Sequence, residues 1–387
     1  MATWLRNIYK PIALKFTPYF RKISYVIPKL LFNPVKITLP LNFKPHAKVL
    51  IMRHDALGDM IVTLPIFALI KQYYPHLEIH VACTLNNKVL IENNPYIDAI
   101  HIVPISLAQK PLAHIQDILS LRKQSFDIII NCLTSSSSQN GVLVNVIAKQ
   151  NSIRVSSYEG AQYSCYYHAQ SYKSADIINM WEKMFELITD VLGIDSPQEE
   201  LRKPQLLIDS SYEFSAKKTL QQLGLFDKSF IIINLSVRQS KNACTIQQYE
   251  TLIAGLNKLS IHVLLLWMPA DKALKDQLLL SNSPYTLAYP EGRHLFEVCE
   301  VIKKALWVFT PDTGMIHIAT AVHTPVFVVY QEKGSIKQGE WWPYMVQFTY
   351  INSQKGDLIC DIEAQEILSK CLEFHKSILS QITRPRS

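Results

Sequence analysis

Several signatures of common protein classes are missing from this sequence of 387 residues. Its seven cysteines are odd in number and form no C-x-x-C pair, which argues against a zinc site or a disulfide framework and favours a reducing cytosol. Only 11 residues are glycine, too few for a repetitive or disordered chain. No G-x-G-x-x-G follows the first apolar strand, no D-x-D occurs, and no pair of acids has the spacing of metal ligands. We therefore expect neither a bound metal nor a cofactor.

Acidic residues are also missing from the first 48 positions, which hold nine Lys or Arg and several aromatic residues. The rest of the chain carries the other 30 basic residues and all 32 acidic ones, so the net charge of +7 comes from this end. Basic and aromatic side chains together suit an anionic membrane surface. Packing on the protein's own surface is the alternative, and nucleic acid is disfavoured. Prolines at positions 11, 18, 28 and 34 interrupt the segment, so we expect neither a transmembrane helix nor a signal peptide.

Strand and helix patterns alternate along the rest of the chain, whose 48% hydrophobic and 18% charged content is typical of a globular protein rich in buried sheet. Strands are expected at residues 48–53, 78–84, 99–103, 127–132 and 153–156, and then at 230–235, 261–267, 285–288, 306–310 and 325–330. Helices are expected at 59–73, 86–92, 109–124, 139–149 and 176–192, and then at 245–259, 271–281, 294–305 and 314–323. Alternation of this kind predicts parallel sheets with helices on both faces. Two such sets, separated by a polar stretch at 196–204, predict an α/β chain with two Rossmann-like domains.

The first strand ends in a turn from Arg53 to Asp59 that leads into a helix. Gly58 allows a close backbone approach that a Cβ would hinder. Asp59 lies near the start of the helix, where a carboxylate can serve as a cap or as a general base. Pro65, within the same helix, is expected to end its first turn or to kink it.

A second turn, from Thr310 to Gly314, joins an apolar strand to a helix near the other end of the chain. A helix that starts directly after a strand presents main-chain N–H groups without intrahelical partners. These groups and the helix dipole favour an anion, typically a phosphate. Asp312 can also cap this helix, and His317 lies about one turn further along it.

Together the two segments resemble glycosyltransferase family 9, the heptosyltransferase-like enzymes of lipopolysaccharide core assembly. The residues that carry the resemblance are Arg53, Leu57, Gly58, Asp59, Leu64, Pro65, Asp312, Thr313, Gly314, His317, Ala319, Ala321 and Pro325. The family implies the GT-B arrangement, in which two Rossmann-like domains face each other across a cleft. The expected parts are a basic aromatic arm (1–46), an acceptor domain (47–200), a nucleotide-sugar donor domain (201–365) and a C-terminal helix and tail (366–387).

The resemblance implies donor-binding residues in the second half of the chain. Asp312, Thr313, Gly314 and His317 match the family motif, although His317 can also be a satisfied helix histidine. Glu291 precedes a helix of the donor domain and is a candidate for contact with the donor's ribose or base.

The loop after strand 230–235 is a further candidate for phosphate binding, because it is basic. Family members place a Lys followed by Trp-Pro in this loop. Lys241 is the nearest match, but Asn242-Ala243-Cys244 follow it, and Arg238 is a rival.

On the acceptor side, the resemblance makes Asp59 the candidate catalytic base. It would take the proton of the acceptor hydroxyl while the sugar carbon is displaced in line, with inversion. Gly58 and Arg53 are the candidate acceptor-binding residues, and pairing with an acid is the alternative for Arg53. His54 departs from the small or polar residue common in the family.

The implied function is metal-independent transfer of a sugar, with heptose as the first candidate, from a nucleotide-diphosphate donor (ADP-heptose or similar) to a lipid-linked core oligosaccharide. The implied location is cytoplasmic, on the inner face of the bacterial inner membrane, which the arm would contact. Two alternatives stay open. One is a dinucleotide-binding oxidoreductase, although its glycine fingerprint is missing. The other is a non-catalytic membrane-associated scaffold with a degenerate transferase fold.

Overall fold

A computed structural model of the chain describes residues 29–107, 109–133, 137–157, 160–171, 179–195, 197–238, 242–281, 283–331, 339–353 and 358–382. Contacts divide the described residues into two compact units. The first unit holds residues 29–55, 66–171 and 183–198. The second holds residues 56–65, 179–182 and 199–382.

The first unit is built on a six-stranded sheet in which every neighbouring pair is parallel. Its strands are β1 (Lys48–Arg53), β2 (Glu78–Cys83), β3 (Ala99–Ile102), β4 (Ile128–Asn131), β5 (Ile153–Ser157) and β6 (Ala169–Ser171). They lie in the order β3-β2-β1-β4-β5-β6. The central strands β1 (KVLIMR) and β4 (IIIN) are almost entirely buried and are apolar between their polar ends, as expected of a parallel sheet that is covered on both faces.

The helices of the N-terminal half are α1 (Leu57–Tyr73), α2 (Leu85–Lys88), α3 (Ile115–Lys123), α4 (Ser138–Ile147) and α5 (Met180–Leu192). Turns of 3-10 helix lie at Pro111–His114 and Ala161–Tyr166. The first residues of α1 and of α5 belong by their contacts to the second unit, and the remainder of each helix belongs to the first.

The second unit repeats the plan with a parallel sheet in the order β12-β11-β10-β7-β8-β9. Its strands are β7 (Phe230–Asn234), β8 (His262–Leu266), β9 (Thr286–Ala288), β10 (Val308–Pro311), β11 (Val326–Tyr330) and β12 (Phe348–Asn352). Its helices are α6 (Glu199–Arg202), α7 (Ser210–Gln222), α8 (Ile246–Asn257), α9 (Lys272–Leu279), α10 (Leu295–Lys304), α11 (Met315–Ala321) and α12 (Ala364–Ile382). Further 3-10 turns lie at Pro269–Asp271 and Ile359–Asp361. The prediction of two Rossmann-like α/β domains is confirmed.

Some elements differ from the sequence-based expectation. The last strand of each half, β6 and β12, was not predicted; β6 has only three residues, and β12 is only partly buried. Helix α7 was also not predicted, and the stretch 196–204, expected as a linker, contains α6. Helix α2 ends at Lys88 instead of near residue 92. These elements are short or have a weak apolar pattern, and apolar periodicity is the main signal from which a sequence predicts helices and strands.

Pro65 does not end the first turn of its helix, because α1 continues through it from Leu57 to Tyr73. The alternative, a kink at Pro65, stays a prediction. Residues 60 to 67 are all buried. A helical segment that is buried on all sides gains apolar burial at every one of its residues. This gain outweighs the one main-chain hydrogen bond that proline removes.

The described part of the N-terminal arm, residues 29–46, packs on the first unit. The Phe32 ring lies 5.9 Å from that of Tyr166, and Leu41 is buried. Main-chain hydrogen bonds join Ile37 to His168 (3.1 Å) and Leu41 to Val191 (2.9 Å). This part of the arm therefore follows the alternative of packing on the protein's own surface, and residues 1–28 lie outside the described residues.

Six of the seven cysteines are buried, as small core residues commonly are, and Cys360 is exposed. Along the described residues, no helix combines the length and the apolar character that crossing a membrane requires.

Candidate active site

The strand order of the second sheet reverses between β7 and β10, which are neighbours although β8 and β9 separate them in the chain. In open parallel sheets, ligands bind beyond the carboxyl ends of the strands at such a point. The chain leaves β7 at Asn234 and leaves β10 at Pro311, so the loops that begin there share this edge. The loop after β10 contains the predicted donor-binding residues Asp312, Thr313 and Gly314.

The two loops are joined by the side chain of Asn234, which is buried. Its Nδ2 atom donates to Oγ1 of Thr310 (3.1 Å), to Oγ1 of Thr313 (3.3 Å) and to the carbonyl of Ser236 (3.1 Å). Asn234 therefore fixes Thr313 relative to the end of β7. Sequence reasoning missed this residue; the available signal was a polar amide ending an otherwise apolar strand, FIIIN.

The turn at 312–314 keeps main-chain donors available. Oγ1 of Thr313 accepts a hydrogen bond at 3.3 Å from the N–H of Met315, the first residue of α11. Among the described residues, the N–H groups of Thr313 and Gly314 meet no acceptor. Two neighbouring main-chain N–H groups of this kind suit the oxygens of a phosphate.

Asp312 is held in the same turn, where its N–H donates to the Val329 carbonyl at 3.1 Å. Burial raises the pKa of its carboxyl above the ordinary value. Burial, followed by the nearby Asp312 carboxyl, likewise raises the pKa of Tyr330, whose hydroxyl is buried at the end of β11. Tyr330 is a second residue at this edge that sequence reasoning did not identify.

His317 is buried among aromatic rings in the first turns of α11. Its ring centroid lies 5.5 Å from that of Trp341, with the planes at 65°, and 6.3 Å from that of Trp181. Trp181 in turn stacks on Tyr344 at 6.3 Å. The position of the imidazole is therefore set by side chains from α5 and from the loop after β11.

The residues around Gly58 pack directly against α11, and both segments belong to the second unit. A Cβ on Gly58 would lie 2.8 Å from Cδ2 of His317 and 3.4 Å from Cα of Gly314. Only glycine permits this approach, as the sequence suggested. Asp59 is the next residue and is half-buried in the first turn of α1, where its carbonyl accepts from the Thr63 hydroxyl at 2.9 Å. The structure thus brings together Gly58, Asp59, Gly314 and His317.

The other donor candidates lie at the same edge of the second sheet or outside the described residues. Arg238 is exposed in the loop after β7. Glu291 is exposed in the turn after β9. The strand β9 lies two places from β7 in the sheet, so the two strands are about 10 Å apart. Lys241 lies outside the described residues. Among the described residues, no group of three or more His, Cys, Asp or Glu could hold a metal ion.

Arg53 ends β1 in the first unit, at the point where the strand order of that sheet also reverses. Its side chain is 0% exposed. The guanidinium pairs with the Asp55 carboxylate at 3.1 Å, donates to the Cys132 carbonyl and lies 3.4 Å from the Met184 sulfur. Asn87 adds a hydrogen bond of 3.1 Å from its amide to the Asp55 carbonyl. Arg53 therefore holds the turn 53–55 from inside.

His54 lies beside Arg53 and is also buried. Burial, followed by the charge of Arg53, lowers the pKa of His54 to about 4. The imidazole is therefore neutral at neutral pH. This position, where the family usually has a small or polar residue, therefore holds a neutral imidazole ring.

Comparison with known proteins identifies the family. The family model for glycosyltransferase family 9 (heptosyltransferase) matches residues 117–370. The chain belongs to glycosyltransferase family 9. It is similar to lipopolysaccharide heptosyltransferase 3 of Escherichia coli K12, with 23% identity over 317 residues that cover 77% of this chain and 86% of the relative. It is also similar to a glycosyltransferase of Haemophilus influenzae described as putative, with 24% identity over 76% of this chain and 86% of that protein.

Solved structures of this family share the fold. The E. coli heptosyltransferase WaaC, solved with ADP-2-deoxy-2-fluoro heptose, matches with a TM-score of 0.65 at 18% identity, covering 84% of this chain and 99% of that chain. A family 9 glycosyltransferase from Veillonella parvula matches with a TM-score of 0.69 at 14% identity, covering 88% and 99%. The protein is thus a glycosyltransferase of the heptosyltransferase type, as the sequence resemblance implied. Family membership favours this function over the oxidoreductase alternative.

Proposed function

We propose that this family 9 enzyme transfers a sugar, with heptose as the first candidate, from a nucleotide-diphosphate donor to a lipopolysaccharide or lipooligosaccharide core acceptor, with inversion. The observation that carries the proposal is the packing of Gly58 on His317 and Gly314. It supports a common site for the candidate base Asp59 and the turn 312–314. In the proposed division of labour, residues 47–200 bind the acceptor and residues 201–365 bind the donor.

The donor diphosphate is proposed to bind at Thr313 and Gly314. Their N–H groups point to an anion, and Asn234 holds the turn in place. Arg238 and Lys241 would add positive charge from the neighbouring loop, and His317 would add a hydrogen bond. A solved relative, E. coli heptosyltransferase WaaC with ADP, supports an ADP-linked donor. Glu291, at the same edge of the sheet, is proposed to accept hydrogen bonds from the ribose or base.

In the proposed reaction, the Asp59 carboxylate accepts the proton of the acceptor hydroxyl. The hydroxyl oxygen forms a bond to the anomeric carbon of the donor sugar, and the bond from that carbon to the diphosphate oxygen breaks. The electron pair leaves with the nucleoside diphosphate, whose charge the donors at 313–314 stabilise. Attack from the side opposite the leaving group inverts the configuration. The charge on the leaving group is met by N–H groups and basic side chains, so we propose that the step needs no metal.

Gly58 and Arg53 are proposed to act in acceptor binding by different routes. Because Gly58 has no side chain, the start of α1, which carries Asp59, can approach His317 closely. Arg53 is enclosed with Asp55, so its proposed role is to hold the turn that precedes Asp59 rather than to touch the acceptor.

The acceptor is proposed to be lipid-linked, so we place the enzyme on the cytoplasmic face of the inner membrane. The similarity to lipopolysaccharide heptosyltransferase 3 supports an acceptor of this class. The positive charge of residues 1–46 supports contact with anionic lipid.

Thermal unfolding in the presence of nucleotide sugars tests the donor. We expect ADP-heptose to raise the melting temperature more than UDP- or GDP-sugars, because a ligand that binds only the folded state stabilises it by about 2.7 kcal/mol at one hundred times its Kd. Glu291→Gln is expected to reduce the shift, while Glu250→Gln, at an exposed position on α8, leaves it unchanged. A shift with a nicotinamide dinucleotide and none with any sugar nucleotide would overturn the proposal.

A further inference from the structure

Helix α3 and the 3-10 turn before it carry a row of exposed aliphatic side chains. Leu112 is 85% exposed, Ile115 is 51% exposed and Leu119 is 48% exposed. Ile115 and Leu119 are four residues apart in the helix and so share one face, and Leu112 lies in the 3-10 turn directly before it. The helix is already anchored by Ile118 and Leu121, which are buried in the core of the first unit. It therefore has a second apolar face that the described part of the chain leaves in solvent.

Basic residues flank this row. Lys123 lies four residues after Leu119 on the same face, and Lys110 precedes the 3-10 turn; both are exposed. Arg122 donates to the Val146 carbonyl at 2.7 Å, which keeps a third cation at this end of the helix. The acid of this segment, Asp117, lies 3.4 Å from His114. The exposed row is thus apolar along its centre and positive at both ends.

The loop that precedes the helix adds another aliphatic residue, Ile105, which is also exposed. The loop is folded onto the helix start by a hydrogen bond of 2.9 Å between Ser106 and His114. The Lys110 N–H donates to the Ser106 carbonyl at 2.8 Å. These bonds join the loop that carries Ile105 to the turn before the helix.

The described part of the basic N-terminal arm contacts the same core cluster. Phe32 packs against the cluster that contains Ile118 and Leu121. Leu30 and Leu31, just before it, are exposed. Two positively charged segments, the arm and α3, thus present aliphatic side chains from one layer of the first unit.

We propose that the row of Ile105, Leu112, Ile115 and Leu119, with Lys110 and Lys123, inserts into the surface of an anionic lipid bilayer. Aliphatic side chains enter the boundary between headgroups and acyl chains, and long lysine side chains reach the headgroups. Charge complementarity favours an anionic bilayer as the partner of this surface, because anionic lipid attracts each basic residue near it. The reason for such a surface rests on the proposed function, since the acceptor would be lipid-linked.

The test measures binding of the full chain to phosphatidylcholine vesicles with and without phosphatidylglycerol. The variant Leu112→Ser/Ile115→Ser/Leu119→Ser is expected to bind anionic vesicles at least about tenfold more weakly than the wild type. The matched control, Leu207→Ser/Phe214→Ser/Phe226→Ser, removes exposed apolar side chains from the second unit and is expected to bind like the wild type. Both variants should keep the wild-type melting temperature, which shows that they are folded.

Three outcomes would overturn the proposal: vesicle binding by the first variant that equals the wild type, equal loss in the control variant, or no wild-type binding to either vesicle. Sedimentation equilibrium adds a fourth such outcome. If the wild type and the control variant are dimers and the first variant is a monomer, a second copy of the chain covers the row. Transfer to a delipidated, water-soluble acceptor separates this proposal from the proposed function. Vesicle binding without any such transfer would support the lipid-binding surface and contradict the proposed transfer reaction.

Discussion

Gly58 and His317 are in contact so close that no side chain fits between them: a Cβ on Gly58 would lie 2.8 Å from Cδ2 of the imidazole. His317 has little room to retreat, because the rings of Trp181 and Trp341 lie 6.3 and 5.5 Å from its own. The start of α1, and with it Asp59, is thereby fixed relative to the turn that is proposed to bind the donor. The contact is sterically defined and can be broken by one methyl group.

Gly58→Ala is predicted to lower both stability and activity. Overpacking of this kind costs about 1–3 kcal/mol, and alanine is otherwise well suited to a helix. We expect a lower free energy of unfolding and at least about tenfold lower kcat/KM, since small displacements at reacting groups are costly.

A double-mutant cycle with His317→Ala identifies the cause of this loss. Removing the ring should restore most of the stability that Gly58→Ala loses, because the clashing atom is gone. Strict additivity of the two stability changes would show that Gly58 and His317 do not interact.

Asn234→Ala is predicted to weaken nucleotide binding, because the amide fixes Thr313 from the end of β7. The matched control is Asn145→Ala in the first unit. It too removes a hydrogen-bonded side-chain amide, one that donates to the main-chain carbonyls of Gly141 and Tyr166. Both variants should lose about 1–3 kcal/mol of stability. Calorimetric titration with the nucleoside diphosphate should show weaker binding only for Asn234→Ala; equal affinities for the two variants would contradict the role of Asn234.

The buried His54 predicts a loss of stability in mild acid. Its pKa is about 4 in the folded protein and 6.5 ordinarily. The contribution of the neutral, buried His54 to the free energy of unfolding is therefore fully present above pH 6.5. It is lost as the pH falls toward 4, because His54 takes up a proton in the unfolded chain before it does so in the folded protein. The full effect of this difference is about 3 kcal/mol.

Denaturant unfolding of His54→Gln and wild type between pH 7 and pH 4.5 measures this effect. The stability of the variant should fall less steeply, whereas His76→Gln, at an exposed position, should follow the wild-type slope. His101 and His168, whose pKa values burial also lowers to about 4, remain in all three proteins, so the difference isolates His54. Parallel slopes for all three would refute the buried, neutral state of His54.

The sequence predicted the architecture because the central strands carry its strongest signals. Strands such as β1 and β7 are short, have an uninterrupted apolar run of four residues and are followed by helices, a pattern that favours a parallel sheet covered on both faces. The strand β6, AQS, carries little apolar signal, whereas β12, FTYIN, is short and only partly buried. Their pairing with β5 and β11 is a tertiary effect that local periodicity does not contain.

The site was predictable where backbone chemistry determines it. The turns at 53–59 and 310–314 were found from glycine, aspartate and their position after strands. Asn234, Tyr330 and Trp181 were not found, because each acts through neighbours that are distant in the chain. For Arg53, the residue type alone could not decide between a substrate contact and an internal pair with Asp55, and the fold encloses it with that carboxylate.

The most direct test of the account is the rate of sugar transfer by Asp59→Asn with ADP-heptose and a delipidated core acceptor. The amide keeps the size of the side chain but cannot accept the proton, so kcat should fall by about 10²–10⁴-fold, while nucleotide affinity and melting temperature stay at wild-type values. The scaffold alternative predicts instead that the wild type itself transfers no sugar. Full transfer activity in folded Asp59→Asn would contradict the assignment of the base and, with it, the proposed mechanism.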